Sequence, residues 1–482
     1  MRSPFNAAIG LAVLASSAPC DPTVTVRNGT YAGVSLSGFH QDAFLGMPYA
    51  QDTGGENRFR VPRALNTSWS GVRTAKNYSN ACPDPSPSDA VYGMSENCLS
   101  INVVRPTKQA SDRALLPVAV WIHGGSYYYG TTGLPNYNLS YIVQRSVVMG
   151  KPILATSINY RKGGWGNMYS IEENIASFGG DLNRVTIWGE SSGSFAVGQL
   201  LLSYGGRTDG LFHGSIQESG GASTAYLACL RTVPYDELYP LINPELYLGP
   251  GWYPTVDGDI MPQFPTTLYA QGKFAHLPHI YGTNSDEGTD NAISGINTDA
   301  ELRTYLETGV GFGYPASVVD RIMQLYPNDP AQGIPFNTGL ETFEDMGRGK
   351  QFKRVAAIVG DIFYHGPRLA EARSYAQHNP NGTFVYRFNT RGYRPASTSA
   401  NGTVTPAGLN FGYEGVAHAT ELAFVFNNPN GVGPWPEYRA LSDDMSGMWI
   451  NFVNCGDPNG DGMPLWPPYA DGSHGKNLVL QT

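Results

Sequence analysis

The chain has 482 residues, a formal charge of −9 at pH 7, 41% hydrophobic residues and only 15% charged ones. That balance supplies a sizeable core and fits a globular enzyme better than a disordered or fibrous chain. The acidity, with no block of Lys or Arg anywhere, excludes a nucleic-acid binder, because phosphate contacts need clustered cations.

The chain opens "MRSPFNAAIGLAVLASSAPC": one positive charge, a short apolar run, then small residues. This order predicts a secretory signal over residues 1–18, followed by a single domain over 19–482. No stretch reaches the ~18 apolar residues that cross a bilayer, so no transmembrane segment is expected. Asn-x-Ser/Thr sequons at Asn28, Asn66, Asn77, Asn138, Asn381 and Asn401 fit an extracellular glycoprotein. Next, "TVTVRNGTYAGV" alternates about Asn28-Gly29 and predicts an antiparallel hairpin turning there. Cys82 and Cys98 bracket a polar, turn-rich loop that a disulfide would staple, a closure worth ~3 kcal/mol in the chain-entropy model. Cys20, Cys229 and Cys455 have no evident partners, and no Cys or His grouping has metal spacing, so neither metal nor cofactor is expected.

Beyond that loop come "LSINVVRP", "PVAVWIHGG", "PILATSINY" and "VTIWG". These near-continuous β-branched runs predict strands buried on both faces of a mixed, mostly parallel sheet. Helix-like stretches, "NIASFG", "FAVGQLLLSY" and "GPRLAEARSYAQ", are interspersed. The result is an α/β fold whose site should lie at the carboxyl ends of the strands.

Candidate chemistry gathers at three points. "VTIWGESSGS" sets Gly-x-Ser-x-Gly between a strand and a helix, the arrangement of a nucleophile elbow centred on Ser191. In a chain with 58 glycines that pattern alone is weak. "WIHGGSYYYG" places a glycine turn after another strand, where backbone N–H groups of Gly125 and Ser126, with that of Ser192, can face a developing oxyanion. A base and an acid must complete the set. "LPHIYGTNSDEGTD" ends a strand in Asp286 and Glu287, and the residues alone do not choose between them. His365 and His418 are both open as the base, and Glu190 reads as a buried structural carboxylate.

Taken together, the segments are distinctive. "SENCLSINVVRP", "PVAVWIHGGS", "SINYR", "NIASFGGDLNRVTIWGESSGS", "QESGG", "WYPTVDGD", "GTNSDEGT", "GVAHATELAFVF" and "GDPNGDGMPLWPPY" follow one another from about residue 24 to 470. In this series the chain resembles the type-B carboxylesterase/lipase family, the cholinesterase-like branch of the α/β-hydrolases, and especially its secreted fungal members. The resemblance implies an α/β-hydrolase fold and an ester hydrolase, with Ser191 as nucleophile, His418 as base and Glu287 as acid. It also implies an oxyanion hole of Gly125, Ser126 and Ser192 and, as partner, a small or lipid-like ester. A triacylglycerol lipase and a non-catalytic binding module of the same superfamily are the alternatives, the second disfavoured because all three triad candidates are in place.

The chain departs from the family pattern in three ways. Ser126 stands where a third glycine is usual; its N–H can still donate, and its side chain, beside Tyr127, Tyr128 and Tyr129, is expected to narrow the acyl pocket. The loop from Cys82 to Cys98 is short and lacks the tryptophan that stacks on choline, which favours a plain carboxylesterase. Segments near 162–173 and 226–227 are shorter than the family norm, as an alternative transcript or imperfect gene model would produce. The sequence sets no oligomeric state.

Overall fold

The computed structural model describes residues 21–58, 60–84, 92–107, 114–162, 174–222, 256–309, 312–398, 404–469 and 475–482. The expected signal over 1–18, the shortened segments beyond Lys162 and at 226–227, Asn401, Cys20 and Cys229 lie outside these residues.

Strands β1 (Thr23–Val26) and β2 (Gly29–Ala32) form the N-terminal hairpin, with Val26 paired to Gly29. The turn is therefore Arg27-Asn28, one residue earlier than expected. Gly29 serves a different need: a Cβ there would lie 2.3 Å from the Trp69 indole. β3 (Val34–Leu36) and β4 (Gln41–Pro48) begin the large sheet, while β5 (Val72–Thr74) adds to β2 and completes a small three-stranded sheet. The disulfide between Cys82 and Cys98 is formed, and Cys455 is free and exposed.

The large sheet continues through β6 (Ser100–Pro106), β7 (Leu116–Ile122), β8 (Leu154–Ile158), β9 (Gly180–Glu190), β10 (Gly214–Glu218), β11 (His279–Asn284) and β12 (Thr383–Phe388). Two short antiparallel pairs follow, β13 (Tyr393–Arg394) with β16 (Gly408–Leu409) and, between them in the chain, β14 (Ser397–Thr398) with β15 (Val404–Thr405), before β17 (Leu478–Leu480) closes the edge. The order is β3-β4-β6-β8-β7-β9-β10-β11-β12-β17. The pairs from β3 to β8 are antiparallel and all those from β8 onward are parallel. This is the α/β-hydrolase architecture.

The period-two rule explains why these runs are apolar throughout. Along β7, Ala119 and Trp121 enter one core with helix α1 (Leu139–Val148) and the helix Pro436–Cys455, while Val118, Val120 and Ile122 enter a second core with helix α2 (Ser192–Leu202). A third, separate apolar cluster joins the helices Asp299–Thr308, Ala316–Leu325 and Phe352–Gly360 through Leu302, Val319, Phe352 and Val355. "NIASFG" forms only a 3-10 turn, Ile175–Phe178, because Gly179 at φ 96° ends it before β9. Among the described residues no helix is long and apolar enough to cross a membrane, and no group of three His, Cys, Asp or Glu side chains is placed to hold a metal.

Candidate active site

The carboxyl ends of β7, β9 and β11 converge on one point. Ser191 follows β9 and caps α2 in a conformation, φ 55° and ψ −123°, that few non-glycine residues adopt. Its flanking glycines are required by contact: a Cβ on Gly189 would stand 2.4 Å from the Gly193 carbonyl oxygen, and one on Gly193 2.0 Å from that of Ile122. The turn is pinned from the side as well, since Ser191 N–H donates to the Glu218 carbonyl at 2.9 Å. Ser192 opens α2, so its amide belongs to the first turn, where no helical acceptor exists.

The glycine turn lies against this elbow. A Cβ on Gly124 would sit 3.0 Å from Ser191 Cβ. Gly125 at φ 116° and Ser126 at φ 55° curl the backbone, and the Gly125 carbonyl accepts from Tyr128 N–H at 2.8 Å and Tyr129 N–H at 3.0 Å. These bonds turn the Gly125 carbonyl into the loop. Ser126 itself is exposed. Of the three tyrosines beside it, Tyr127 packs into the core next to Phe195, Tyr128 is buried and Tyr129 is exposed.

Glu287, in the 3-10 turn after β11, is fully buried and accepts from His418 Nδ1–H at 2.6 Å. It also accepts from Ser219 Oγ–H at 2.6 Å and Asn284 N–H at 2.7 Å. Burial opposes its charge, but these partners outweigh it and hold the carboxyl below its ordinary range. Asp286 faces away and accepts from the backbone N–H groups of Val416 and Phe336, at 2.8 and 3.0 Å. His365 is likewise apart, its Nδ1 on Thr283 Oγ1 at 3.1 Å. Tyr364, from the π-turn Asp361–His365, packs its ring 4.8 Å from the His418 ring, and its hydroxyl accepts from Asn291 at 2.9 Å.

His418 Nε2 lies 3.2 Å from Glu190 Oε1 without forming a hydrogen bond, and among the described residues it has no hydrogen-bond partner. Ser191 is therefore not hydrogen-bonded to His418; what brings the ring toward the elbow is its approach to Glu190, the residue before Ser191, and such open catalytic bonds are common in unliganded sites. Burial works against a charged imidazole here, yet Glu190 and Glu287 overcome it and push His418 up to about 10. Glu190 is itself pushed up to about 8 by burial, with His418 opposing the rise. A proton on Glu190 would remove part of what raises His418, so the pair titrates as a unit.

Three further groups at the site escaped sequence reasoning. Glu218 Oε1 accepts from the indoles of Trp188 at 2.8 Å and Trp449 at 2.6 Å. Glu421 accepts from Asn284 Nδ2 at 2.6 Å, and Ser219 bridges toward Glu287. Both glutamates are fully buried and, with Glu190 and Glu287, form a group of four carboxylates close enough to act on one another's charge. Their only signal was position, within "QESGG" and three residues after His418.

The model of the carboxylesterase family matches residues 20–170, 167–228 and 221–482. Its two breaks coincide with the segments that are short in the sequence. Lipase 4 of Diutina rugosa is 31% identical, covering 95% of this chain and 92% of that protein; the alignment spans 547 residues, more than this chain contains. Secreted lipase 1 of Botryotinia fuckeliana is 30% identical over 95% of this chain and 89% of its own length. Liver carboxylesterase of Sus scrofa is 29% identical over 93% and 88%. The crystal structure of Aspergillus niger EstA superposes with a TM-score of 0.74 over 96% of this chain and 94% of that one, at 24% identity, and so speaks for the fold.

Proposed function

The chain belongs to the carboxylesterase family and is a carboxylic ester hydrolase, and from that premise we propose that Ser191, His418 and Glu287 are its catalytic triad. The observation that carries the assignment is the 2.6 Å bond between His418 Nδ1 and the buried Glu287, with Nε2 of the same ring 3.2 Å from Glu190, the residue before Ser191. In this reading His418 Nε2 takes the Ser191 proton as Oγ attacks the ester carbonyl, and Glu287 holds the ring in the tautomer that leaves Nε2 free to accept it. Charge collecting on the carbonyl oxygen is met by the N–H groups of Gly125, Ser126 and Ser192. His418 then returns the proton to the leaving alcohol, and water, deprotonated by the same ring, cleaves the acyl-enzyme. Ser191→Ala should lower kcat for a short-chain nitrophenyl ester by roughly 10⁴-fold or more. An organophosphonate should leave one adduct, on the Ser191 peptide. A folded chain that takes no adduct would refute the assignment.

We further propose that the protein is secreted after loss of residues 1–18 and carries N-linked glycans. The secreted lipases among its relatives support this. Its acyl preference is read as short-chain, from the closeness of Cys82 and Cys98, which are 16 residues apart. The fungal lipase relatives favour triacylglycerols as the second reading. A rate that jumps once a triglyceride exceeds its solubility would decide for the lipase; a hyperbolic curve through that limit would decide for the esterase.

A further inference from the structure

Lys162 and Asp84 are both fully buried and in contact, Nζ to Oδ2 at 2.5 Å. Asp84 comes two residues after Cys82, on the loop that the disulfide closes, and Lys162 comes four residues after the end of β8. A buried charge needs its counter-charge and further hydrogen bonds. Here Lys162 sends another N–H to the carbonyl of Gly130, also at 2.5 Å. Gly130 is where the glycine turn ends. A Cβ on it would stand 2.6 Å from the Gly124 carbonyl oxygen and 2.7 Å from His123 Nδ1, so this residue packs directly behind the first residues of the turn. Gly124 in turn presses on Ser191.

We propose that Lys162 and Asp84 are a positioning pair for the oxyanion hole, fixing the Gly124–Gly130 turn to the disulfide-closed loop. The proposal rests on the reading of Gly125, Ser126 and Ser192 as oxyanion donors. Nothing in the pair touches substrate; its action passes through Gly130 to the direction of the Gly125 and Ser126 N–H groups. Donors aimed at a developing charge lose their effect with small displacements, whereas substrate binding depends little on them.

The test is the full-length double variant Lys162→Met/Asp84→Asn, which removes both charges at once. Its control is Asp42→Asn/Arg105→Met, which removes a buried pair on β4 and β6, away from the turn. For each, kcat and KM on a short-chain nitrophenyl ester are measured with the thermal melt and the affinity of a trifluoromethyl ketone, whose adduct carries the oxyanion. The expected result is a folded double variant whose kcat falls about 10- to 100-fold with KM unchanged. Ketone affinity falls by the same factor as kcat/KM, and the control, melting as low, keeps its kcat. A folded double variant with wild-type kcat and ketone affinity, or a control that loses as much, overturns the proposal. Should the double variant fail to melt cooperatively, Asp84→Asn alone is read the same way, with a smaller loss expected and wild-type kcat decisive against. Ser191→Ala at wild-type rate would instead sink the active-site reading on which the pair depends.

Discussion

His418 is the residue on which the pH behaviour turns. Its two carboxylate neighbours favour the imidazolium, but a base must be neutral to accept the Ser191 proton. Activity should therefore rise with pH as His418 loses its proton, and the acid limb of kcat/KM should lie above that of an ordinary histidine. Removing one carboxylate lowers the pKa of the ring, so Glu190→Gln should carry that limb toward lower pH by about one unit or more. A limb that stays in place would show that Glu190 is already protonated and contributes no field. Ser191 and the His123–Gly125 turn were legible in sequence because contiguous small residues write out the backbone they need. That Glu287 rather than Asp286 would bond His418 was not, because it depends on which of two neighbours the turn after β11 aims inward. Asn284 is local, but Ser219, which holds Glu287, and Val416 and Phe336, which hold Asp286, are distant in sequence.

Among elements, Glu218 joins two that meet only in three dimensions. One carboxylate oxygen on β10 receives Trp188 from β9 and Trp449 from the helix Pro436–Cys455. Leaving two buried indole N–H groups without an acceptor costs ~1–3 kcal/mol each. Glu218→Leu should thus lower stability by roughly 2–6 kcal/mol on that basis, whereas Glu218→Gln, which keeps an oxygen in place, should lose far less. Denaturant melts of the two variants would separate these outcomes, and equal losses would mean that shape alone, not the shared acceptor, matters. The strands were readable as elements because burial on both faces removes polar alternation. The hairpin turn was misplaced by one residue because Asn28-Gly29 imitates a turn signal, while Gly29 is there to admit Trp69. The π-turn that brings Tyr364 to His418 follows from packing and has no mark in local composition.

For the whole molecule, the proposed secretion makes a prediction about which sequons carry sugar. Asn66, Asn77 and Asn381 are exposed, whereas Asn28 Nδ2 donates to the carbonyls of Thr67 at 3.0 Å and Leu65 at 3.3 Å. Peptide mapping of the secreted protein should find glycans on the first three and an unmodified Asn28; a fully occupied Asn28 would contradict this. Sequence alone marks all of them equally, since a sequon carries no information about tertiary contacts. The fold as a whole was legible because its motifs keep their order along the chain. The split of its interior into separate apolar clusters was not. That split has a consequence for heat. The turn of the proposed acid, Glu287–Thr289, rests on the third core, where a Cβ on Gly288 would stand 2.0 Å from the Ala356 carbonyl oxygen. That core contains no strand of the large sheet, so it can loosen while the sheet holds. Warmed slowly, the molecule should fall silent some degrees before its ellipticity changes, and it should revive on cooling. Its working ceiling would then be a property of three helices, and engineering the sheet would not raise it.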